Sequence, residues 1–77
     1  MKNEKQIGGD HYDRMAIQPI EYIMANNLGF AEGNVIKYIS RYKFKDGVRD
    51  LKKARQYIDA LIEQMERERT NQIIDNV

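Results

Sequence analysis

The fold of this chain is decided by the stretch from residue 33 to residue 47, which reads GNVIKYISRYKFKDG. Its aliphatic residues recur at helical spacing, so the stretch predicts an amphipathic helix from near Ala31 to about Phe44. The closing Lys45-Asp46-Gly47 is a strong break signal, which separates this helix from the next one. The aliphatic positions are Val35, Ile36 and Ile39.

A short helix is predicted on the N-terminal side of this stretch. Pro19 suits the first turn of a helix because its fixed backbone angle is helical and its missing N–H is not needed there. The residues 26–29 (Asn-Asn-Leu-Gly) tolerate left-handed backbone and should end the helix. The apolar positions between these signals are Ile20, Ile23 and Met24.

A long third helix is predicted from about Val48 to Glu68. Its apolar residues alternate steps of three and four, which is the spacing of a helix-packing seam. No strand pattern is present, so the predicted fold class is all-α: a short helix plus a helical hairpin, completed by oligomerisation. The seam residues are Leu51, Ala54, Ile58, Leu61 and Met65.

The chain has 77 residues, which limits it to one small domain. We expect a flexible arm at residues 1–9, a single helical nucleotide-binding domain at 10–70, and a tail at 71–77. A core this small needs further support, yet the chain has no cysteine for disulfides and one histidine. Self-association is the remaining source of stability, so we expect a homo-oligomer.

The net charge of +1 conceals a basic centre. Residues 37–55 carry +6, whereas residues 1–36 carry −2 and residues 56–77 carry −3. This pattern favours a local site for a small anion over long nucleic acid, which usually needs a whole basic face. No leader or membrane-spanning run is visible, so we expect a cytoplasmic protein that does not contact membranes.

A polar stripe on the second helix contains the first candidate ligand-binding residues. Arginine and lysine bind phosphate, asparagine can bind a base edge, and tyrosine can stack on a base. The stripe lies opposite the aliphatic side of the helix. The alternative interpretation is a solvated surface with half-buried tyrosines. The stripe consists of Asn34, Lys37, Tyr38, Arg41 and Lys45.

A second candidate cluster precedes the first helix. His11 can act as acid, base or hydrogen-bond donor near neutral pH, and Tyr12 beside it can stack on a base. With Asp10 and Asp13 the histidine could also form a weak metal site. A single loop histidine is, however, more often structural or exposed. We therefore assign His11 and Tyr12 to ligand binding and expect no metal.

Catalytic signatures are absent from the sequence. There is no phosphate loop, no dinucleotide-binding glycine motif and no cysteine nucleophile, and Ser40 is the single serine. We therefore predict no catalytic residues and no cofactor.

The ordered motifs resemble a small bacteriophage family, long of unknown function and described as nucleotide kinase-like (SaV-like). The resemblance covers about residues 10 to 60 and implies a phage-encoded, cytoplasmic, helical protein linked to nucleotides. Longer coliphage relatives phosphorylate deoxynucleoside monophosphates without a phosphate loop. The motifs are Asp10-His11-Tyr12, residues 18–23, Phe30, residues 33–42, Lys45-Asp46-Gly47, Asp50-Leu51, Lys53-Ala54 and Tyr57.

Three hypotheses for function follow from these observations. The first is an oligomeric protein that sequesters a nucleotide, linear, cyclic or oligomeric, without chemistry; by analogy with small phage proteins, that ligand is a host defence signal. The second is a deoxynucleoside monophosphate kinase without a phosphate loop, or an accessory to one, which would need Mg²⁺. The third is a helical adaptor that binds a host protein through the third helix.

Overall fold

The computed structural model describes the backbone of residues 15–75 and the side chains of residues 15–70. These residues form three α-helices and one short 3-10 helix, and this part of the chain contains no strand. The predicted all-α class is therefore confirmed. Completion of the fold by a second copy stays a prediction.

Helix α1 spans Pro19–Ala25. The amide of Gln18 donates to Glu21 Oε1 at 3.0 Å, so an otherwise unpaired N–H before the first turn is satisfied. At the other end, Asn27 has a φ of 54°, and the amides of Asn27 and Leu28 donate back to helix carbonyls at 3.2 and 3.0 Å. This is the left-handed helix end that the asparagine-rich segment predicted.

Helix α2 spans Phe30–Arg41 and continues as a 3-10 helix over Tyr42–Phe44. A β-carbon built on buried Gly33 would lie 3.3 Å from Ile23 Cγ2. Helix α1 therefore approaches α2 closely at this glycine. The close approach explains why a glycine stands here, although glycine lowers the stability of a helix.

A tight turn reverses the chain after the 3-10 helix. Gly47 has a φ of 54°, a conformation that costs little without a β-carbon, and its amide donates to the Tyr42 carbonyl at 2.9 Å. Helix α3 then spans Val48–Asp75, extending past the predicted end near Glu68. At about 1.5 Å per residue, α3 is about 42 Å long, whereas α2 is about 18 Å long.

The interior between α2 and α3 contains little apolar material. Among the side chains of residues 15–70, the buried hydrophobic core consists of Ala54, which is 3% exposed. Two charged residues, Arg41 and Asp50, are buried beside it. The helices are therefore held together as much by an ion pair and by aromatic contacts as by aliphatic burial.

Candidate functional site

The stripe predicted on α2 turns out to face α3. The rings of Tyr38 and Tyr57 stack with their centroids 6.1 Å apart and their planes 15° apart. Phe30 meets the edge of the same Tyr57 ring at 5.9 Å and 71°. Aromatic contacts of this geometry stabilise helix pairing beyond the area they bury. Meanwhile Ile39, on the aliphatic side of α2, stays 45% exposed.

Arg41 is held by Asp50 on α3. Arg41 Nε donates to Asp50 Oδ2 at 3.2 Å, and Arg41 Nη2 donates to Oδ1 at 3.1 Å. The Asp46 amide also donates to Oδ2, at 3.2 Å. Since the Asp50 side chain is fully buried, this two-pronged contact fixes the rotation of α2 against α3. Arg41 therefore shapes the site through the helix pair.

The ionised form of Asp50 is stabilised despite its burial. Burial raises the pKa of Asp50, but hydrogen bonds from Arg41 and the Asp46 amide, together with the charges of Arg41 and Lys53, lower it further than burial raises it. The pKa consequently lies below the ordinary value of an aspartate. Asp50 also occupies the first turn of α3, where the helix dipole favours a negative charge.

Three cations surround the ring of Tyr38. Arg41 Cζ lies 4.7 Å from the ring centroid, and the ammonium nitrogens of Lys37 and Lys53 each lie 5.3 Å from it. The ring attracts each cation, but the cations repel one another. With Asp50 as the carboxylate of this group, the cluster has a net charge of +2. The geometry therefore favours an added anion.

A shallow groove adjoins the cluster and runs between α1 and α2. It has a volume of about 320 Å³ and is open to solvent. Two residues of the predicted stripe line it, Asn34 and Lys37. The Asn34 side-chain amide donates to the Phe30 carbonyl at 2.9 Å. The other lining residues are Ile23, Leu28, Gly29, Phe30 and Gly33.

Phe30 gives the groove an exposed aromatic surface. Its ring is 79% exposed although it touches Tyr57, so one side of a large apolar group is left to water. Glu32 lies at the same end of α2, since a β-carbon on Gly29 would be 2.7 Å from Glu32 Oε1. The Glu32 carboxylate repels a second anion at the start of α2, whereas Lys37 attracts one further along the helix.

The remaining predicted site residues are Lys45, His11 and Tyr12. Lys45 is exposed in the turn after the 3-10 helix and is not among the cations at the Tyr38 ring. His11 and Tyr12 lie outside the described residues. The structure thus places Asn34 and Lys37 in the groove, and Lys37 and Arg41 at the Tyr38 ring.

Three contributors to the site were not predicted as site residues: Phe30, Lys53 and Tyr57. Lys53 and Tyr57 are separated by four positions and so share one face of α3, and the turn at residues 45–47 brings that face back onto α2. An exposed phenylalanine carries no signal of its own in a single sequence. Its position at the start of α2 becomes informative only once Tyr57 is placed beside it.

Two features are absent from the described part of the chain. Between residues 15 and 75, no helix has the length and apolarity required to cross a membrane. Among those same residues, no three or more acidic, histidine or cysteine side chains are grouped so as to hold a metal ion.

Comparison with known proteins yields one family. The family described as a protein of unknown function (DUF3310) matches residues 7–59, more than half of the chain. No curated protein and no solved structure matches significantly.

Proposed function

We propose that this chain, which belongs to the DUF3310 family of proteins of unknown function, binds a nucleotide beside Tyr38 and sequesters it without chemical change. One observation carries the proposal: three cations, Lys37, Lys53 and Arg41, lie around one tyrosine ring. Together with Asp50 they form a cluster whose net charge is +2. A bound phosphate would relieve the repulsion among these cations.

The phosphate ligands in this proposal are Lys37 and Lys53. Both side chains are half-buried, and both ammonium nitrogens lie 5.3 Å from the same ring centroid. Arg41 instead binds Asp50, and from its buried position it adds to the positive potential at the Tyr38 ring. Lysine ammonium groups bind phosphate as mobile point charges, which suits a site at a surface.

The base of the nucleotide would lie in the groove against Phe30. The exposed face of this ring supplies a stacking surface, and base–aromatic stacking is worth roughly 1–3 kcal/mol per base. The Asn34 amide nitrogen is used within α2, so its oxygen is the atom that would accept a hydrogen bond from the base. An apolar groove with one amide and one cation fits an aromatic anion.

Sequestration is the use that best fits this arrangement. Chemistry on a phosphate needs a positioned base and metal ligands in addition to cations. Around the Tyr38 ring, the structure offers cations, a stacked tyrosine and the Asp50 carboxylate, which is already committed to Arg41. By analogy of size and chemistry with small phage proteins that sequester nucleotide immune signals, the ligand that we propose is a host defence nucleotide.

The first test is recovery of the ligand. The purified full chain is incubated with a cellular nucleotide extract and Mg²⁺, freed of unbound ligand and denatured, and the released species are identified by mass spectrometry. We expect an unaltered nucleotide in an amount equal to the protein. Newly phosphorylated products in excess of the protein would refute sequestration and support the kinase hypothesis. Recovery of no nucleotide would refute both.

Adjacent lysines on α3 provide a matched test of the site. Lys53→Ala removes a cation from the Tyr38 ring, whereas Lys52→Ala removes an exposed cation on another face of the helix. Calorimetric titration with the recovered nucleotide should show affinity about 10-fold or more weaker for Lys53→Ala and for Lys37→Ala, since each loses a charge-assisted contact. Lys52→Ala should bind like the unchanged chain. Equal effects at positions 52 and 53 would place the phosphate elsewhere.

The aromatic surface is tested separately. Phe30→Ala should weaken binding about 5-fold to 100-fold through lost stacking, whereas Phe30→Tyr keeps a ring and should retain most of the affinity. If both variants bind as tightly as the unchanged chain, the base does not stack on Phe30.

A further inference from the structure

The middle of α3 carries an apolar surface that no described part of the chain covers. Phe30, the first residue of α2, contacts Tyr57, so α3 continues beyond the start of its partner helix. Ile58, Ile62 and Met65 are 43%, 49% and 70% exposed, and Leu61 beside them is half-buried. These four residues occupy positions i, i+3, i+4 and i+7, so they form one continuous face of the helix, here called the α3 stripe.

The α3 stripe is centred on its helix. Helix α3 spans Val48–Asp75, so its midpoint falls between Leu61 and Ile62. The stripe runs from Ile58 to Met65 and has the same midpoint. Two copies that pair antiparallel through the stripe would therefore overlap along the whole helix, with Ile58 of one copy opposite Met65 of the other.

The charge distribution of α3 specifies the same orientation. Residues 48–61 carry a net charge of +2 and residues 62–75 carry −2. Antiparallel pairing sets each basic half against an acidic half, whereas parallel pairing sets like against like. Arg55 and Glu66, eleven positions apart, flank the stripe on the same side of the helix. In the antiparallel pair, Arg55 of each copy comes near Glu66 of the other.

We infer that the α3 stripe is a self-association surface on which a second copy of this chain pairs antiparallel. The inference is independent of nucleotide binding. It rests on the exposed aliphatic face, on the coincidence of its centre with that of the helix, and on the opposite charges of the two halves. The resulting pairing is isologous, because each residue of the stripe meets its counterpart about a two-fold axis.

Cysteine cross-linking tests the orientation, since the chain has no cysteine of its own. Ile62→Cys lies next to the two-fold axis and should form a disulfide-linked dimer. Ile58→Cys alone should not, because its counterpart is displaced by about 10 Å along the helix. An equal mixture of Ile58→Cys and Met65→Cys should cross-link to a mixed dimer. Efficient cross-linking of Ile58→Cys alone, without the mixed product, would overturn the antiparallel arrangement.

A charge placed in the stripe tests the interface itself. Ile62→Glu should raise the dimer dissociation constant by about 100-fold, because two carboxylates would meet in an apolar contact. Gln56→Glu adds the same charge on the opposite, exposed face of α3 and should change the constant by less than about 3-fold. Both are measured by sedimentation equilibrium of the full chain. Circular dichroism confirms that the variants stay helical.

Two results would overturn the inference. One is an unchanged chain that sediments as a monomer up to millimolar concentration, which would leave the stripe to another protein. The other is a stable dimer that resists Ile62→Glu as well as it resists Gln56→Glu, which would place the contact on a different face.

Discussion

The two halves of α3 use the same helix for opposite purposes. In residues 48–61, the side chains facing α2 include a fully buried carboxylate, the one buried core alanine and a stacked tyrosine. From residue 62 to residue 70, every side chain is exposed. Among the side chains of residues 15–70, packing against α3 therefore ends near the start of α2. The buried residues of the helix pair include the charged Arg41 and Asp50, whereas the large apolar residues Ile58, Ile62 and Met65 stay exposed.

The largest effect should come from breaking the ion pair in the packed half. Asp50→Asn leaves the Arg41 charge buried without its carboxylate, and loss of one partner from such a pair costs about 3–5 kcal/mol. Asp59 is exposed and lies on the opposite face of α3, so Asp59→Asn should cost less than about 0.5 kcal/mol. Urea denaturation followed by circular dichroism measures both. Similar losses for the two variants would mean that the pair does not hold the hairpin.

The same pair predicts a loss of stability in acid. Folding lowers the pKa of Asp50, so the ionised carboxylate contributes its full stability above about pH 4, the ordinary aspartate range. That contribution disappears as the pH falls through the lower folded-state value. Urea midpoints from pH 7 to pH 2 should therefore fall more for the unchanged chain than for Asp50→Asn. Parallel curves would show that Asp50 does not titrate with folding.

Overpacking should distinguish the buried face of α3 from its exposed face. Ala54 is buried between the helices, so Ala54→Leu should cost about 1–3 kcal/mol. Ala60 is exposed on the same helix, and Ala60→Leu should be nearly neutral. Thermal melts of the two variants give the comparison. A neutral Ala54→Leu would indicate that α2 can move away from α3 without cost.

The smallest effect concerns the turn that joins the helices. Gly47→Ala puts a β-carbon on a residue with a φ of 54°, where nothing lies within 4 Å of it. The cost of about 1–2 kcal/mol would thus be conformational alone. Gly47→Asn should cost less, because asparagine tolerates this backbone region. The difference in urea midpoint between these two variants is the measurement, and no difference would rule out backbone strain as the cause.

Much of the fold was predictable because the helices begin and end at residues whose effect on the backbone is local. Pro19, the asparagines after α1 and the Lys45-Asp46-Gly47 turn each act through backbone preferences within a few residues. The lengths were less predictable: α2 tightens to a 3-10 helix after Arg41, and α3 continues to Asp75. Such ends depend on fraying and neighbouring contacts more than on residue type.

The site was predicted less completely, because it depends on how two helices are rotated. Tyr38, Lys37 and Asn34 were identified from their shared stripe, but the pattern did not reveal that the stripe faces α3. The stripe predicts Arg41 as a phosphate ligand, but no motif indicates its contact with Asp50. A weak signal existed: these opposite charges lie at similar distances on either side of the turn at residues 45–47. Residues at such positions meet when a helical hairpin closes.

The Arg41–Asp50 contact also has a kinetic consequence. Its two residues are nine positions apart, so the segment between them closes as a short loop, an event that takes roughly 10–100 ns for a chain of this length. Contacts so close in sequence are the kind that make helical proteins fold in microseconds to milliseconds. The hairpin should therefore form before two copies of the chain assemble, since subunit assembly takes milliseconds to minutes.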